Sequence, residues 1–144
     1  MMTEHSLQTL SDRSAIAELS YRYSLAIDTK NFDALDDVFT PDAYVDYRAM
    51  GGIAGYYPEV KQWLRDTLSW FNGMLHITTN HIITVEDDEA TGRSICLAPM
   101  ALRLEHQKDR VQFYGLWYHD TYRRTSNGWR ITTRREEKVL DYNT

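Results

Sequence analysis

Residues 114–139 read YGLWYHDTYRRTSNGWRITTRREEKV. Two runs of alternating side chains flank Thr125-Ser126-Asn127-Gly128. Asn-Gly is the dipeptide a tight hairpin selects, because both central residues of that turn need positive φ. The spacing predicts strands over 110–124 and 129–139. Working towards the N-terminus, the polar turns EDDEAT (86–91) and HQKD (106–109) bound two more strands, over 75–86 and 90–105. Before Gly73 the period lengthens. Ile16, Leu19, Tyr23 and Ala26/Ile27 recur at spacings of three and four, the stripe of an amphipathic helix with Ser11 as its N-cap. A short helix begins at Asn31 or Asp33 and runs to Phe39, where Pro41 stops it. A third helix spans 58–72, opened by Pro58 and carrying Val60, Trp63, Leu64, Leu68 and Phe71. A short strand at 43–48 and a loop, GGIAG at 51–55, lie between. Three helices followed by an antiparallel meander make an α+β fold, the helices on one face of a curved sheet.

The chain has 144 residues, the size of one domain, and 1–144 shows no linker, repeat or low-complexity run. Its 16 basic and 21 acidic residues give a net charge of −5, against a general nucleic-acid binder, which needs a basic face to displace counterions. The opening MMTEHSLQTL has neither a basic nor an apolar leader region, and no apolar run is long enough to span a membrane. Cys96 is the one cysteine, so no intrachain disulfide forms and a reducing, cytoplasmic setting fits. Ten tyrosines and four tryptophans supply apolar bodies with polar ends.

Most site chemistries find no support in the motifs. GGIAG is not a nucleotide-binding glycine pattern. His76 and His81, five apart on one predicted strand, point to opposite faces, and with no H-E-x-x-H motif no metal is expected. No serine sits in a nucleophile elbow, and Cys96 lies in the apolar stretch ICLAPM. Acid–base chemistry is left. Asp28 ends an apolar helix, where the macrodipole disfavours a carboxylate, and taken alone it reads first as a solvated acid before Lys30. His76 opens a strand whose same-face neighbours would be Thr78, Asn80 and Ile82, with Leu75, Ile77 and Ile83 opposite. It fits a wet pocket or a structural histidine. On the strand over 110–124, Phe113, Gly115, Trp117 and His119 share one face, and Tyr114, Leu116, Tyr118 and Tyr122 the other. With both faces bulky, one is expected to line a cavity and the other to pack on helices or a second subunit. Arg134 and Arg135 must point oppositely, so that one can reach the interior while the other lies at the surface.

IAELSYRYSLAIDTKNFDALDDVFTPDAYVDY (16–47), LHITTNHII (75–83) and the closing hairpin together resemble the SnoaL-like branch of the NTF2-like superfamily, across about 11–139. That branch holds scytalone dehydratase, bile-acid 7α-dehydratase and hexachlorocyclohexane dehydrochlorinase. The resemblance implies a cone: three N-terminal helices packed on a strongly curved antiparallel or mixed sheet that encloses one deep pocket. It implies Asp28 orienting and charging His76, with Tyr23 five residues before the Asp as in the dehydratases. The dehydrochlorinase has a lysine at that position, so the chain departs from it there, while its inward arginine matches Arg134. Five helical residues leave Tyr23 and Asp28 about 140° apart, so both face one pocket only if the helix ends or distorts before Asp28.

A neutral imidazole held by a carboxylate is a general base near neutral pH. The resemblance therefore implies a cofactor-independent lyase that removes water, dehydratase-like, from a small apolar substrate of aromatic, polyketide or steroid type. An isomerase or cyclase would use the same base, and the family also includes non-catalytic assembly subunits such as those of ring-hydroxylating dioxygenases. Tyr44, Tyr47, Trp63, Phe71 and Trp117, with Asn80, are the candidate pocket lining, though each aromatic equally serves core packing. The outward aromatic sheet face implies a homo-oligomer, a dimer or trimer, and neither nucleic acid nor membrane as partner.

Overall fold

The computed structural model describes residues 6–144; Met1–His5, part of the segment read for a leader, lie outside the described residues. Helix α1 (Leu7–Asp28) begins one turn earlier than its apolar stripe implies, because the Ser6 hydroxyl, not Ser11, accepts the Thr9 N–H at 3.1 Å. Asp12, the residue after the expected cap, is a buried tertiary anchor. It accepts two bonds from Arg124 at 2.8 Å and one from Trp129 Nε1 at 3.0 Å. The Arg124 guanidinium holds its carboxyl far below the usual carboxylate range.

The expected three helices become two α-helices with short 3-10 turns. The second predicted helix is a 3-10 segment, Phe32–Asp37. Pro41, expected to stop a helix, lies within strand β1 (Phe39–Asp46), whose pairing shifts register there for want of a proline donor. A 3-10 turn (Arg48–Met50) and β2 (Ala54–Tyr56) lead to α2 (Tyr57–Leu68). This helix stops short of the predicted end because Phe71 already belongs to β3 (Phe71–Met74). Strands β4 (Ile77–Glu86), β5 (Glu89–Leu102), β6 (Arg110–Thr125) and β7 (Gly128–Asn143) form the meander. The curled sheet runs β2-β1-β7-β6-β5-β3, with β4 also on β5. It is mixed, since β1 pairs parallel to β7 while the other pairings are antiparallel. No helix among the described residues is long and apolar enough to cross a membrane.

The helices cover one face of the sheet, and the core between them holds Ile16, Ile27, Leu35, Val45 and Ile131, all fully enclosed. In it sits a charge pair. Asp120 and Arg134 are register partners on β6 and β7, both side chains at 0% exposure. Arg134 donates through Nε and Nη2 to the two carboxylate oxygens at 2.9 Å each, and Tyr122 O–H donates to the same carboxylate at 3.1 Å. The guanidinium lies 3.8 Å from the Tyr118 ring centre and 4.5 Å from that of Tyr23.

On the other face, Ile77, Leu97, Gly115 and Leu140 are consecutive register partners across β4, β5, β6 and β7. Their three apolar side chains are each about half exposed, at 51%, 47% and 50%.

A buried bidentate pair is favourable only while both members are present. Asp120→Asn is expected to lower unfolding free energy by about 3–5 kcal/mol, because it strands the Arg134 charge. The double change Asp120→Leu with Arg134→Met is expected to recover most of that loss in urea unfolding.

Candidate functional site

A cavity of about 230 Å³ lies between the helices and the inner face of the sheet. Tyr23 and Ile27 of α1, Trp63 and Leu64 of α2, and Phe71 of β3 form one side. Ala98 and Met100 of β5, Tyr114, Leu116 and Tyr118 of β6, and Glu136 of β7 form the other. Tyr47 and the Gly51–Gly52 backbone close one end, and His76 stands in the wall. The GGIAG segment is thus wall rather than free loop. A Cβ on Gly52 would meet Tyr47 Cβ at 2.7 Å and the Trp63 ring at 2.9 Å, so only glycine lets the backbone approach both residues this closely.

His76 owes its position to a gap in the sheet edge. Leu75 N–H still bonds to Pro99 O at 3.1 Å, but β3 has ended and β4 has not begun. The His76 N–H is therefore free of the ladder, and the Asp28 carboxylate accepts it, at 2.9 Å and 3.1 Å from the two oxygens. The same carboxylate lies 2.7 Å from His76 Nδ1. With an acceptor-only carboxylate there, Nδ1 carries the hydrogen and Nε2 is the ring nitrogen left for the cavity.

Helix α1 runs unbroken through Asp28. The expected distortion is unnecessary, because Asp28 does not line the cavity: it grips His76 from behind, while Tyr23 faces the cavity directly. Tyr23 and His76 rings are 6.4 Å apart, edge on. The Tyr23 and Tyr47 hydroxyls share a 2.6 Å hydrogen bond. Burial pushes the Tyr23 phenol up to about 12 and holds that of Tyr47 well above the ordinary tyrosine value, so both remain O–H donors through the neutral range. Arg134 points inward, as the resemblance implies, but lies under the Tyr23 and Tyr118 rings rather than in the cavity wall.

Of the predicted lining, Tyr47, Trp63 and Phe71 are in place. Three other residues are not. Tyr44 alternates with the fully buried Ala43 and Val45, so it faces out, 42% exposed, against Tyr56. Asn80 sits at φ 57° in a bulge of β4, exposed, accepting a bond from the Thr79 hydroxyl at 3.1 Å. The bulge also inverts the alternation beyond it, so Ile83 is buried and Ile82 exposed. Trp117 lies on the outer face beneath the Arg93 guanidinium, 4.1 Å from its ring centre, while the Tyr114–Leu116–Tyr118 face lines the cavity.

Glu136 was not foreseen. In the run RREEK it resembles a solvated charge, yet the period of two that turns Arg134 inward turns Glu136 inward too. Burial raises its carboxyl to about 8, the Arg134 charge opposing and Asp46 assisting. No group of three or more His, Cys, Asp or Glu side chains that could hold a metal occurs among the described residues.

Residues 8–135 match the SnoaL-like domain family. Uncharacterized proteins of Mycobacterium tuberculosis and Mycobacterium bovis are 49% identical over 135 residues, 94% of this chain and 90% of theirs. Among solved structures, a Kribbella flavida protein superposes with a TM-score of 0.84 at 24% identity, covering 92% of this chain and 94% of its own. A Novosphingobium aromaticivorans protein with a provisional scytalone dehydratase assignment gives 0.82 at 23% identity, covering 94% and 89%. A hexachlorocyclohexane dehydrochlorinase from Novosphingobium barchaimii gives 0.81 at 18%, covering 96% and 93%. At those identities the structural likeness is one of fold, the NTF2-like fold. With the match extending over nearly its whole length, this chain belongs to the SnoaL-like domain family.

Proposed function

We propose that the cavity carries out a lyase reaction, removal of a proton next to a carbonyl followed by loss of a group one carbon further on. The observation that carries this reading is the double grip of Asp28 on His76. One carboxylate fixes both the backbone and the ring, sets the tautomer and offsets the positive charge the ring acquires as it takes a proton. The Tyr23–Tyr47 hydroxyl pair is the donor for the carbonyl oxygen as it gains charge. Arg134, fixed beneath Tyr23, is a positioning residue with a favourable field rather than a contact to substrate. The chemistry is redox-neutral and calls on no cofactor.

The apolar, aromatic walls and the modest volume favour a small flat substrate of aromatic or polyketide type. The dehydrochlorinase and dehydratase among the structural neighbours support elimination as the reaction class. Isomerisation or ring closure would share the first proton transfer. With one cysteine and no intrachain disulfide, the protein is read as cytoplasmic.

The half-exposed row of Ile77, Leu97 and Leu140 is read as the contact between copies of the chain. Light scattering is expected to give the mass of a dimer or trimer, and a Leu97→Asp variant the mass of one chain. A monomeric wild type would contradict this.

For the chemistry, 4-hydroxy-4-phenylbutan-2-one is a suitable probe, its dehydration followed by absorbance of the conjugated ketone. His76→Ala is expected to lower turnover by about 10³-fold. Its stability should change by no more than about 1 kcal/mol, since the backbone bonds to Asp28 persist. Unchanged turnover in that variant would overturn the reading.

A further inference from the structure

Glu136 is the acidic side chain of the cavity lining, and the elimination read above gives it no role. Its side chain lines the cavity, and its Oε1 is enclosed with no hydrogen-bond partner among the described residues. The cation two residues away makes no hydrogen bond to it: Nε and Nη2 of Arg134 are committed to Asp120 at 2.9 Å each, and Nη1 is itself enclosed without a partner, so its charge opposes protonation of Glu136 only through space. Nor is Glu136 a structural brace. A carboxyl at about 8 in the folded chain, against 4.5 ordinarily, binds a proton that the unfolded chain has released. It therefore costs stability increasingly as pH rises between those values. What remains is an enclosed, unpartnered acid aimed into an apolar cavity, with His76 also in the wall. Two titratable groups whose surroundings set them to opposite tasks are the pattern of an acid–base pair.

We propose that Glu136 is the proton donor of this cavity: a neutral carboxylic acid that selects uncharged, oxygen-bearing ligands and protonates a leaving oxygen. The catalytic half of this rests on the elimination read above. In that step His76 Nε2 takes the proton α to the carbonyl, and the C–H electron pair becomes the new C=C bond. The β C–O bond breaks towards oxygen, and the Glu136 O–H proton joins that oxygen, so water departs. The products are the conjugated carbonyl compound, an imidazolium at His76 and a carboxylate at Glu136. Return of the proton from one to the other through solvent resets the site. A halide needs no such donor, so the leaving group is a hydroxyl rather than chloride.

The surroundings favour the neutral acid. On its own strand lies Arg134, whose charge opposes protonation, and from β1 Asp46 favours it. The other titratable neighbours, Tyr23 of α1, Tyr47, Tyr118 of β6 and Cys96 of β5, are all raised by burial and uncharged at neutral pH. Tyr114 of β6, also raised by burial, and His76 are the remaining titratable groups in the cavity wall. An apolar ligand strips more water from Glu136, so binding and protonation reinforce each other.

Two measurements test this. The first is binding of 2-acetonaphthone and its anionic counterpart 2-naphthoate between pH 6.5 and 9.5. The wild type is expected to prefer the ketone by about tenfold or more at pH 6.5. Its ketone affinity should then fall about tenfold by pH 9.5 as Glu136 ionises, whereas Glu136→Gln, which cannot ionise, should show a flat profile. The second compares 4-hydroxy-4-phenylbutan-2-one with its 4-chloro analogue, measured above spontaneous chloride loss. Glu136→Gln is expected to slow the hydroxy compound about 100-fold and the chloro compound by less than about threefold. Glu136→Asp should restore part of the hydroxy rate. A pH-independent ketone affinity in the wild type, the same fall in Glu136→Gln, or equal slowing of both probes would overturn the proposal. Binding as expected, with no elimination from either probe, would refute the elimination and leave the neutral-acid ligand selectivity standing.

Discussion

One carboxylate at the end of a helix organises the cavity wall at His76. Asp28 closes α1, where the helix macrodipole is unfavourable to a negative charge, and its oxygens are taken by the backbone and ring of His76. That contact ties the C-terminus of α1 to the gap between β3 and β4. Without the gap, the His76 N–H would be spent in the ladder with β5. Without the carboxylate, it would be an exposed edge donor and the imidazole would be free to turn. The interruption in the strand, the orientation of the ring and the anchoring of the helix are consequences of one interaction.

Behind the cavity, charge is distributed unequally. Asp120 consumes Arg134 through two parallel bonds inside the core, and the Tyr23 and Tyr118 rings cover the guanidinium. This leaves a cation that shapes the local field without meeting a ligand. Glu136, on the same strand face, has no hydrogen-bonded counter-charge, and burial raises its carboxyl to about 8 against the opposing field of Arg134. Tyr23 links the two layers, with its ring over Arg134 and its hydroxyl on Tyr47 at the cavity surface. An aromatic layer over a buried ion pair keeps the cavity apolar while its polar ends stay fixed.

Much of this architecture is written in local periodicity. At 125–128 the turn residues are Ser126 and Asn127 with Gly128 at φ 103° after them, and Asn127 does not take the positive φ expected of an Asn-Gly turn. That hairpin and the change from helical spacing to alternation after Gly73 nevertheless follow from residues within a few positions of each other. Features that depend on distant partners do not. Ser11 reads as the cap in isolation, and only the contacts of Asp12 with Arg124 and Trp129 across the fold put the helix start earlier, at Ser6. Pro41 stops a helix in isolation, yet pairing with β7 draws the segment into a strand. The bulge at Asn80 has no local signature and inverts every later side chain of β4. With aromatics on both faces of β6, alternation separates Trp117 from Tyr118 without saying which lies inside; only the helices decide. Tyr23 and Asp28 looked incompatible at about 140° because both were assumed to face the cavity. Their division into a front and a rear position removes the conflict.

The central claim is that Asp28 fixes His76 with its free nitrogen towards the cavity. Nitrogen-15 NMR of the histidine rings, at a pH where His76 is neutral, tests it most directly. The account predicts one tautomer, with hydrogen on Nδ1 in a strong hydrogen bond and an unprotonated Nε2, giving way to mixed tautomers in Asp28→Ala. A neutral His76 with its hydrogen on Nε2 in the wild type, or the same pattern in Asp28→Ala, would contradict it.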